Sequence, residues 1–307
     1  MVAQNAAAMW NALRGIVCVY KPAEASVRKL RRDLIMKICK GLNEVDENQY
    51  YRPFKPHTSN ATELIQQSVD RSVDLRDHPL VYGPKFDELD LSLSWSNFLG
   101  WNTSGVLLFG LRSGTQSARY IRENRSSRAY RIKGVFGQAT DTGFKNGKVV
   151  ERSTWRHIKP FHFDKILSAM QAAHQKKMFE MSGIDMQSQL AYELAAQGPI
   201  RPINSKLPII YGIKCIDYEG PEFTLEIQCI NEYETYLVGL IHEIGVRLHS
   251  TAHCTAIKCI RHSYFNLDHA LLSRHWDLKN ILQNIRMCNR ILAENEHVLK
   301  QTSIALR

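Results

Sequence analysis

The densest group of side chains suited to chemistry is a basic run over residues 112–133. It contains a single acid, Glu123, and seven basic residues: Arg112, Arg119, Arg122, Arg125, Arg128, Arg131 and Lys133. Those at 119, 122 and 125 recur every three residues, so a helix would place them roughly along one face. Guanidinium groups attract phosphates, and the interleaved Tyr120 and Tyr130 can stack on unpaired bases. The run favours a nucleic-acid surface over the alternative, a solvated helix face.

A second group of potential ligands falls within residues 249–262. Its members are His249, His253, Cys254, Cys259 and His262. Their spacing matches no recognised structural zinc site, and the segment contains no acidic residue that could orient a histidine ligand. We therefore predict ordinary strand and loop residues here and no metal site. The sequence also has no phosphate-binding glycine-rich loop and no serine nucleophile elbow.

The overall composition is that of a globular protein with a basic excess. Among 307 residues, 44% are hydrophobic and 23% charged, and 40 Lys and Arg against 30 Asp and Glu give a net charge of +10. No apolar run reaches the roughly 18 residues of a membrane helix, so no membrane insertion is expected. The charge favours a polyanionic partner. Seven cysteines without a CxxC pair indicate reduced thiols.

Periodicity predicts one mixed domain of the α/β class, α+β type, with helical appendages. Apolar or alternating patterns predict strands over 15–20, 89–93, 104–110, 129–137, 209–218 and 222–230. Helical spacing predicts helices over 27–42, 113–125, 163–173, 189–197, 236–248 and 276–299. Residues 43–63 are rich in polar residues and proline, which is typical of an insertion or long loop.

Several segments, taken in order, resemble the TruB family of RNA pseudouridine synthases. They are GIVCVYKP over 15–22, TSGVLLFG over 103–110, Arg128-Ala-Tyr130, GQATDTG over 137–143, LEIQC over 225–229, Thr235-Tyr236 and His242-Glu-Ile-Gly245. Arg128-Ala-Tyr130 is similar to the family's Lys-x-Tyr segment. The resemblance implies a pseudouridine-synthase catalytic domain over 15–270, with a mixed, largely antiparallel sheet flanked by helices.

The ends of the chain refine this resemblance. Residues 271–307 are predicted to be a C-terminal helical tail, and Trp276-Asp-Leu with Asn284-Ile-Arg286 resembles the animal mitochondrial mRNA branch. We expect no C-terminal RNA-binding accessory domain. Residues 1–14 contain no acid and fit a short presequence, in keeping with the mitochondrial matrix location that the branch implies.

The family's chemistry, as the resemblance implies it, needs no cofactor. A uridine is flipped out of its stack, and its uracil is detached, turned and rejoined to the ribose through carbon. One Asp acts as the nucleophile, a Tyr packs beneath the base, and a later Arg pairs with the Asp. In this chain Gly100 stands at the Asp position and Val238 at the Arg position, while Tyr130 is retained. An Arg without its buried carboxylate would be an uncompensated charge, so the two losses belong together.

Three hypotheses follow for the function. The favoured one is an RNA-binding member of the family with impaired catalysis, whose RNA contacts come from Lys21, Arg119, Arg122, Arg125, Arg128 and Arg131 and whose partner is mitochondrial mRNA, tRNA or rRNA. The second is an active synthase that uses another carboxylate; candidates are Asp87, Glu88, Asp90 and Asp141. The third is a non-catalytic scaffold that assembles with mitochondrial RNA-processing proteins or in ribosome assembly.

Overall fold

The computed structural model describes residues 6–50, 85–197 and 207–296. Its strands are β1 Gly15–Lys21, β2 Leu93–Trp95, β3 Thr103–Leu111, β4 Arg128–Phe136, β5 Gln138–Thr140, β6 Val149–Arg152, β7 Ile209–Glu219, β8 Glu222–Ile230, β9 Ala252–His262 and β10 Phe265–Asn266. Its α-helices are α1 Ala6–Ala12, α2 Val27–Tyr50, α3 Gly114–Glu123, α4 Pro160–Met181, α5 Gln189–Gln197, α6 Glu234–Arg247 and α7 Leu278–Glu294. Short 3-10 helices cover Glu88–Asp90, Leu267–His269 and Ser273–His275.

One sheet carries most of the fold. Its strands run in the order β1-β3-β9-β4-β8-β7, with β2 paired to β3 and β10 paired to β9. Among the described strands, β3 and β9 form the parallel pair and the other pairings are antiparallel. Every residue of β3 is buried, as expected for a strand covered on both faces. This mixed, largely antiparallel sheet with flanking helices confirms the predicted fold class.

The C-terminal helix α7 is fixed to the first strand by an amide side chain. The Asn284 Oδ1 accepts a hydrogen bond from the Cys18 backbone N–H at 2.8 Å, and its Nδ2 donates to the His269 carbonyl at 2.8 Å. Because Asn284 is buried, each of these polar groups needs such a partner. Helix α7 thereby covers the sheet beside β1. No helix in the three described ranges is long and apolar enough to cross a membrane.

The structure differs from the sequence-based prediction in several segments. The predicted strand over 89–93 is wrong in its first part, because the Asp87 side chain accepts a hydrogen bond from the Glu88 N–H and begins a 3-10 helix instead. Residues 43–50 belong to α2, and the remainder of the predicted 43–63 insertion lies outside the described residues. Helix α4 extends well beyond the predicted 163–173. The strand and loop residues predicted over 249–262 lie mostly in one strand, β9, which is central in the sheet.

Candidate nucleic-acid pocket

A pocket of about 510 Å³ opens where three segments meet: the loop between β2 and β3, the end of α3, and residues 231–235 at the start of α6. Its lining comprises Trp95, Ser96, Asn97, Phe98, Gly100, Ile121, Arg122, Arg125, Ser126, Arg128, Asn231, Glu232, Tyr233, Glu234, Thr235 and His262. The β2–β3 loop, residues 96–102, is the segment in which the resemblance places the nucleophile, and Gly100 lies in the pocket wall. The structure thus brings Gly100 together with part of the basic run over residues 112–133.

The mouth of the pocket combines aromatic rings with guanidinium groups. Phe98 is 61% exposed and Tyr233 is 58% exposed, on two different walls. Arg122 is exposed and Arg125 half-buried, both on the α3 side. Exposed rings stack on bases and guanidinium groups attract phosphates, so this rim has the composition of a single-stranded nucleic-acid site.

The floor of the pocket is a buried ion pair. The Arg128 Nε lies 2.7 Å from the Glu232 Oε1, and the Tyr130 hydroxyl donates a hydrogen bond to the same oxygen at 2.6 Å. Burial raises the pKa of Glu232, while Arg128 and the Tyr130 hydrogen bond act in the opposite direction. Tyr130 is only 2% exposed and therefore lies behind this pair rather than at the pocket surface.

Three polar atoms of the floor lack hydrogen-bond partners within the described ranges. They are the Glu232 Oε2, the His262 Nδ1 and the Arg128 Nε, which faces Glu232 as an ion pair. Burial, together with the nearby Arg128 charge, lowers the pKa of His262 to about 3, so its imidazole is neutral at physiological pH. The floor therefore offers hydrogen-bonding atoms around one fixed guanidinium charge.

The pocket loop is held from the inside by a buried lysine. The Lys21 Nζ donates hydrogen bonds to three carbonyl oxygens, those of Thr103 at 2.7 Å, Pro22 at 3.1 Å and Trp101 at 3.3 Å. Burial lowers the pKa of Lys21 to about 8, and the negative charge of Glu234 opposes that shift. The structure thus places Lys21 within the protein as a support for the loop rather than on the predicted RNA surface.

The same loop is held from the other side by Glu234, the first residue of α6. The Glu234 Oε1 accepts hydrogen bonds from the Asn102 N–H and Nδ2, each at 3.2 Å, and its Oε2 accepts one from the Thr103 hydroxyl at 2.6 Å. A carboxylate at the first turn of a helix is also favoured by the helix dipole. Glu234 thus fixes the loop that contains Gly100.

Two other arginines of the basic run over residues 112–133 have acidic partners on the protein surface. Arg119 is paired with Glu123 at 2.7 Å within α3, and the Arg131 Nη2 lies 3.6 Å from Glu226 on the neighbouring strand. Neither residue lines the pocket. Within the basic run, the arginines at 122, 125 and 128 thus line the pocket, whereas those at 119 and 131 lie outside it.

Val238, which the resemblance places at the family's Arg position, lies one helical turn after Glu234. A Cβ built on Gly143 would be 2.6 Å from the Val238 Cγ1, so this side chain packs closely against the turn between β5 and β6. Val238 is not part of the pocket lining. An apolar side chain suits this half-buried position.

None of the four carboxylates proposed as substitutes lines the pocket. Those of Asp87 and Asp90 cap the 3-10 helix that also contains Glu88, and the Asp141 Oδ1 accepts hydrogen bonds from the Thr142 and Lys148 N–H groups. The carboxylates that do line the pocket are Glu232 and Glu234, which sequence reasoning missed. Their one sequence signal is their position within three residues before the Thr235-Tyr236 motif, and no periodic pattern accompanies it.

The histidines and cysteines of residues 249–262 are distributed along β9 and the turn before it. The His253 Nδ1 lies 3.1 Å from the Gln138 carbonyl oxygen, and burial raises the pKa of Cys254 and Cys259 to about 12. Within the three described ranges no group of three or more His, Cys, Asp or Glu residues is placed to hold a metal ion. These residues are thus mainly buried side chains of β9.

Comparison with known proteins identifies the family of the chain. Residues 97–237 match the model of the TruB family pseudouridylate synthase (N terminal domain). The chain is 35% identical over 291 residues to "Pseudouridylate synthase TRUB2, mitochondrial" of Xenopus tropicalis, covering 94% of this chain and 89% of that protein. The human protein of the same name is 35% identical over 295 residues, 94% of this chain and 88% of its own length.

A more distant relative is human "Pseudouridylate synthase TRUB1", 24% identical over 239 residues, 77% of this chain and 67% of that protein. The TRUB2 names include the mitochondrion, which confirms the localisation that the resemblance predicted. With these relatives and the matched family model, the chain belongs to the TruB family of pseudouridylate synthases and to its mitochondrial TRUB2 branch.

Proposed function

We propose that this chain is an RNA-binding TruB-family protein of mitochondria whose uridine-isomerising activity is lost or severely impaired. One observation carries the proposal: the pocket wall contains Gly100, at the position where the resemblance places the family's nucleophilic carboxylate. Without that nucleophile, the covalent route to detaching and rejoining uracil is absent. What remains is a pocket that can receive an RNA base and hold its phosphates.

The two carboxylates in the pocket are poor substitutes for the nucleophile. Glu232 is committed to a buried ion pair with Arg128 and a hydrogen bond from Tyr130. Glu234 accepts three hydrogen bonds from the loop. Hydrogen bonds from fixed donors stabilise a carboxylate in its ground state, and breaking them to attack a ribose carbon adds to the barrier.

RNA binding is supported by the rim of the pocket. Phe98 and Tyr233 present exposed rings, and Arg122 and Arg125 lie beside them. The net charge of +10 favours a polyanionic partner. The relatives are named pseudouridylate synthases, and RNA is therefore the partner we propose. Mitochondrial mRNA, tRNA and rRNA all fit this chemistry.

Catalysis is tested with purified protein and RNA that carries labelled uridine. We expect no pseudouridine above the level of a protein-free control, whereas a human TRUB2 sample run in parallel supplies the positive control. Turnover by the wild-type chain, abolished by Glu232→Gln, would instead support an active synthase. That second function has one observation in its favour, since Glu232 contacts Tyr130 directly.

RNA binding is tested by measuring affinity at several salt concentrations. We expect the affinity to fall steeply with salt, because each neutralised phosphate releases counterions. Arg122→Gln with Arg125→Gln should weaken binding to unrelated RNAs at least tenfold. Arg286→Gln with Arg290→Gln, two exposed arginines on α7, is the matched control with the same charge change. Equal losses in the two double variants, or no binding, would favour a protein scaffold.

A further inference from the structure

We infer that the Glu234 side chain fills the space that a nucleophile at position 100 would need. A side chain at position 100 and the side chain of Glu234 therefore exclude each other sterically. This inference rests on the proposed function, because it takes position 100 as the site of the family's nucleophile. It adds that the pocket has been rebuilt around a carboxylate supplied by α6. In this role Glu234 is a positioning residue that holds the pocket loop.

The steric argument comes from the surroundings of Gly100. A Cβ built on Gly100 would overlap the carboxyl group of Glu234 and lie 2.6 Å from the Glu234 Cβ. A rotation of the carboxylate cannot relieve the second contact, since the Cβ is fixed to the helix backbone. Any side chain at position 100, including Asp, therefore requires either the removal of the Glu234 side chain or a shift of the loop backbone away from α6.

Backbone conformation does not explain the glycine. The glycines with positive φ in the described chain are Gly15, Gly105, Gly137, Gly143 and Gly183, and Gly100 is not among them. An L-residue could therefore adopt the backbone conformation at position 100 without strain. The glycine is needed for space, and that space is filled by Glu234.

The hydrogen bonds of Glu234 indicate what this side chain does in the space beside Gly100. Its carboxylate binds the Asn102 N–H and amide and the Thr103 hydroxyl, and so closes the loop on the pocket side. Lys21 binds carbonyl oxygens of Trp101 and Thr103 on the inner side. Two opposite charges thus fix one short loop whose backbone passes between them. In a pocket without a nucleophile, this arrangement keeps the base-binding wall rigid.

A double-mutant cycle in thermal stability tests the exclusion. Gly100→Ala should lower Tm by about 5 °C or more in the wild-type background, because a single methyl group already meets the Glu234 side chain. In the Glu234→Gly background the same alanine should cost nothing further. Glu234→Ala should relieve the contact only in part, since it keeps the Cβ. Gly239→Ala on the same helix is the control, where an added Cβ meets nothing within 4 Å and Tm should not fall.

Activity supplies the second readout, which a purely structural effect would not produce. Gly100→Asp with Val238→Arg, which restores the family residues but keeps Glu234, should form pseudouridine at least tenfold more slowly than the same variant with Glu234→Gly added. Equal, measurable rates in the two variants would overturn the inference. So would a Gly100→Ala cost in Tm that is unchanged by Glu234→Gly.

The outcome is separable from that of the proposed function. Pseudouridine formation by the wild-type chain would refute the loss of catalysis but leave the stability cycle intact as a test of the exclusion. If that wild-type turnover were abolished by Glu234→Gln, Glu234 would be the nucleophile itself and not a residue that fills its place. If Gly100→Ala changed Tm equally in the wild-type and Glu234→Gly backgrounds, and the wild-type chain showed no turnover, the inference would be rejected while the proposed function would stand.

Discussion

The Tyr130 hydroxyl donates a hydrogen bond to the Glu232 carboxylate across an oxygen-to-oxygen distance of 2.6 Å. The two residues lie 102 positions apart in the chain, on β4 and on the loop after β8. The same oxygen faces the Arg128 guanidinium. Arg128 and Tyr130 point to one carboxylate because alternate residues of a strand share a face. The tyrosine that the resemblance assigns to base stacking is thereby tied into an ion pair at the pocket floor.

Removing Glu232 should be strongly destabilising. Glu232→Ala leaves the Arg128 charge buried without compensation, and we expect a loss of about 3–5 kcal/mol in the free energy of unfolding. Urea denaturation at pH 7 measures the loss. Adding Arg128→Met to that variant should recover most of it, because the unpaired charge is then gone. Glu226→Ala breaks only partly exposed pairs and serves as control, with an effect of about 1 kcal/mol or less.

Replacing Lys21 should loosen the pocket loop. Lys21→Met leaves three carbonyl oxygens without their donor, which we expect to cost about 1–3 kcal/mol in the free energy of unfolding. Lys279→Met, at an exposed position of α7, should leave stability unchanged within about 0.5 kcal/mol. Equal effects of the two substitutions would contradict the buried, hydrogen-bonded placement of Lys21.

The pKa of Lys21 also predicts a pH dependence. Its pKa is lowered from 10.5 to about 8 by burial, so between these pH values the unfolded chain binds more protons than the folded one. This group therefore makes folding more favourable as the pH rises from about 8 towards 10.5. The stability difference between wild type and Lys21→Met should widen between pH 7.5 and 9.5. A difference that stays constant, measured by urea denaturation at each pH, would refute the depressed pKa.

The cysteines should be unreactive in the folded protein. All seven are free thiols, six of them buried and Cys215 half-buried. Burial raises the pKa of Cys215 to about 11, so even this thiol is rarely a thiolate at neutral pH. A thiol reagent at pH 7.5 should label at most Cys215, slowly, and should label all seven in denaturant. The variant Cys215→Ser should lose that slow reaction, and fast labelling of another cysteine would contradict the burial of the core thiols.

The N-terminal helix should contribute to stability. In α1, Trp10 lies under the Arg112 guanidinium at 4.5 Å, its carbonyl accepts an Arg112 hydrogen bond at 2.7 Å, and the following Leu13 is fully buried. Deleting residues 1–13 should lower the free energy of unfolding by about 3 kcal/mol, from lost apolar burial and the cation–π contact. Deleting only residues 1–5 is the control. If the two deletions behaved alike, the contacts of α1 would be of no consequence, and the predicted 1–14 presequence would be removable without cost.

Sequence reasoning reached the fold and part of the site through local patterns. The buried run of β3 and the spacing of α3 are written in neighbouring residues, and Gly100 and Val238 were found by their distance from recognisable motifs. The apposition of Gly100 and Glu234 could not be found in this way, since 134 positions separate them and only the tertiary fold brings them together. The isolated acids Glu232 and Glu234 carry no periodic pattern that would assign them to a pocket.

Lys21 illustrates the same limit in a single residue. A lysine in a Lys-Pro turn of a basic protein is expected to face solvent and RNA. The structure instead surrounds its ammonium group with three carbonyl oxygens, because the loop before β3 passes directly over the end of β1. Sequence composition cannot distinguish these two environments, since both provide hydrogen-bond acceptors for the lysine ammonium group.

The parallel pairing of β3 with β9 has a consequence for how the protein is made. The Ser104 hydroxyl on β3 bonds the Ile257 carbonyl on β9, 153 residues later in the chain. The ribosome must therefore synthesise most of the polypeptide before β3, which follows the pocket loop, can pair with β9. Contacts over such distances in sequence slow folding, because a long loop must close before they form. The nascent chain would thus carry an open, incomplete pocket through most of its synthesis, and the ability to hold RNA would be acquired last.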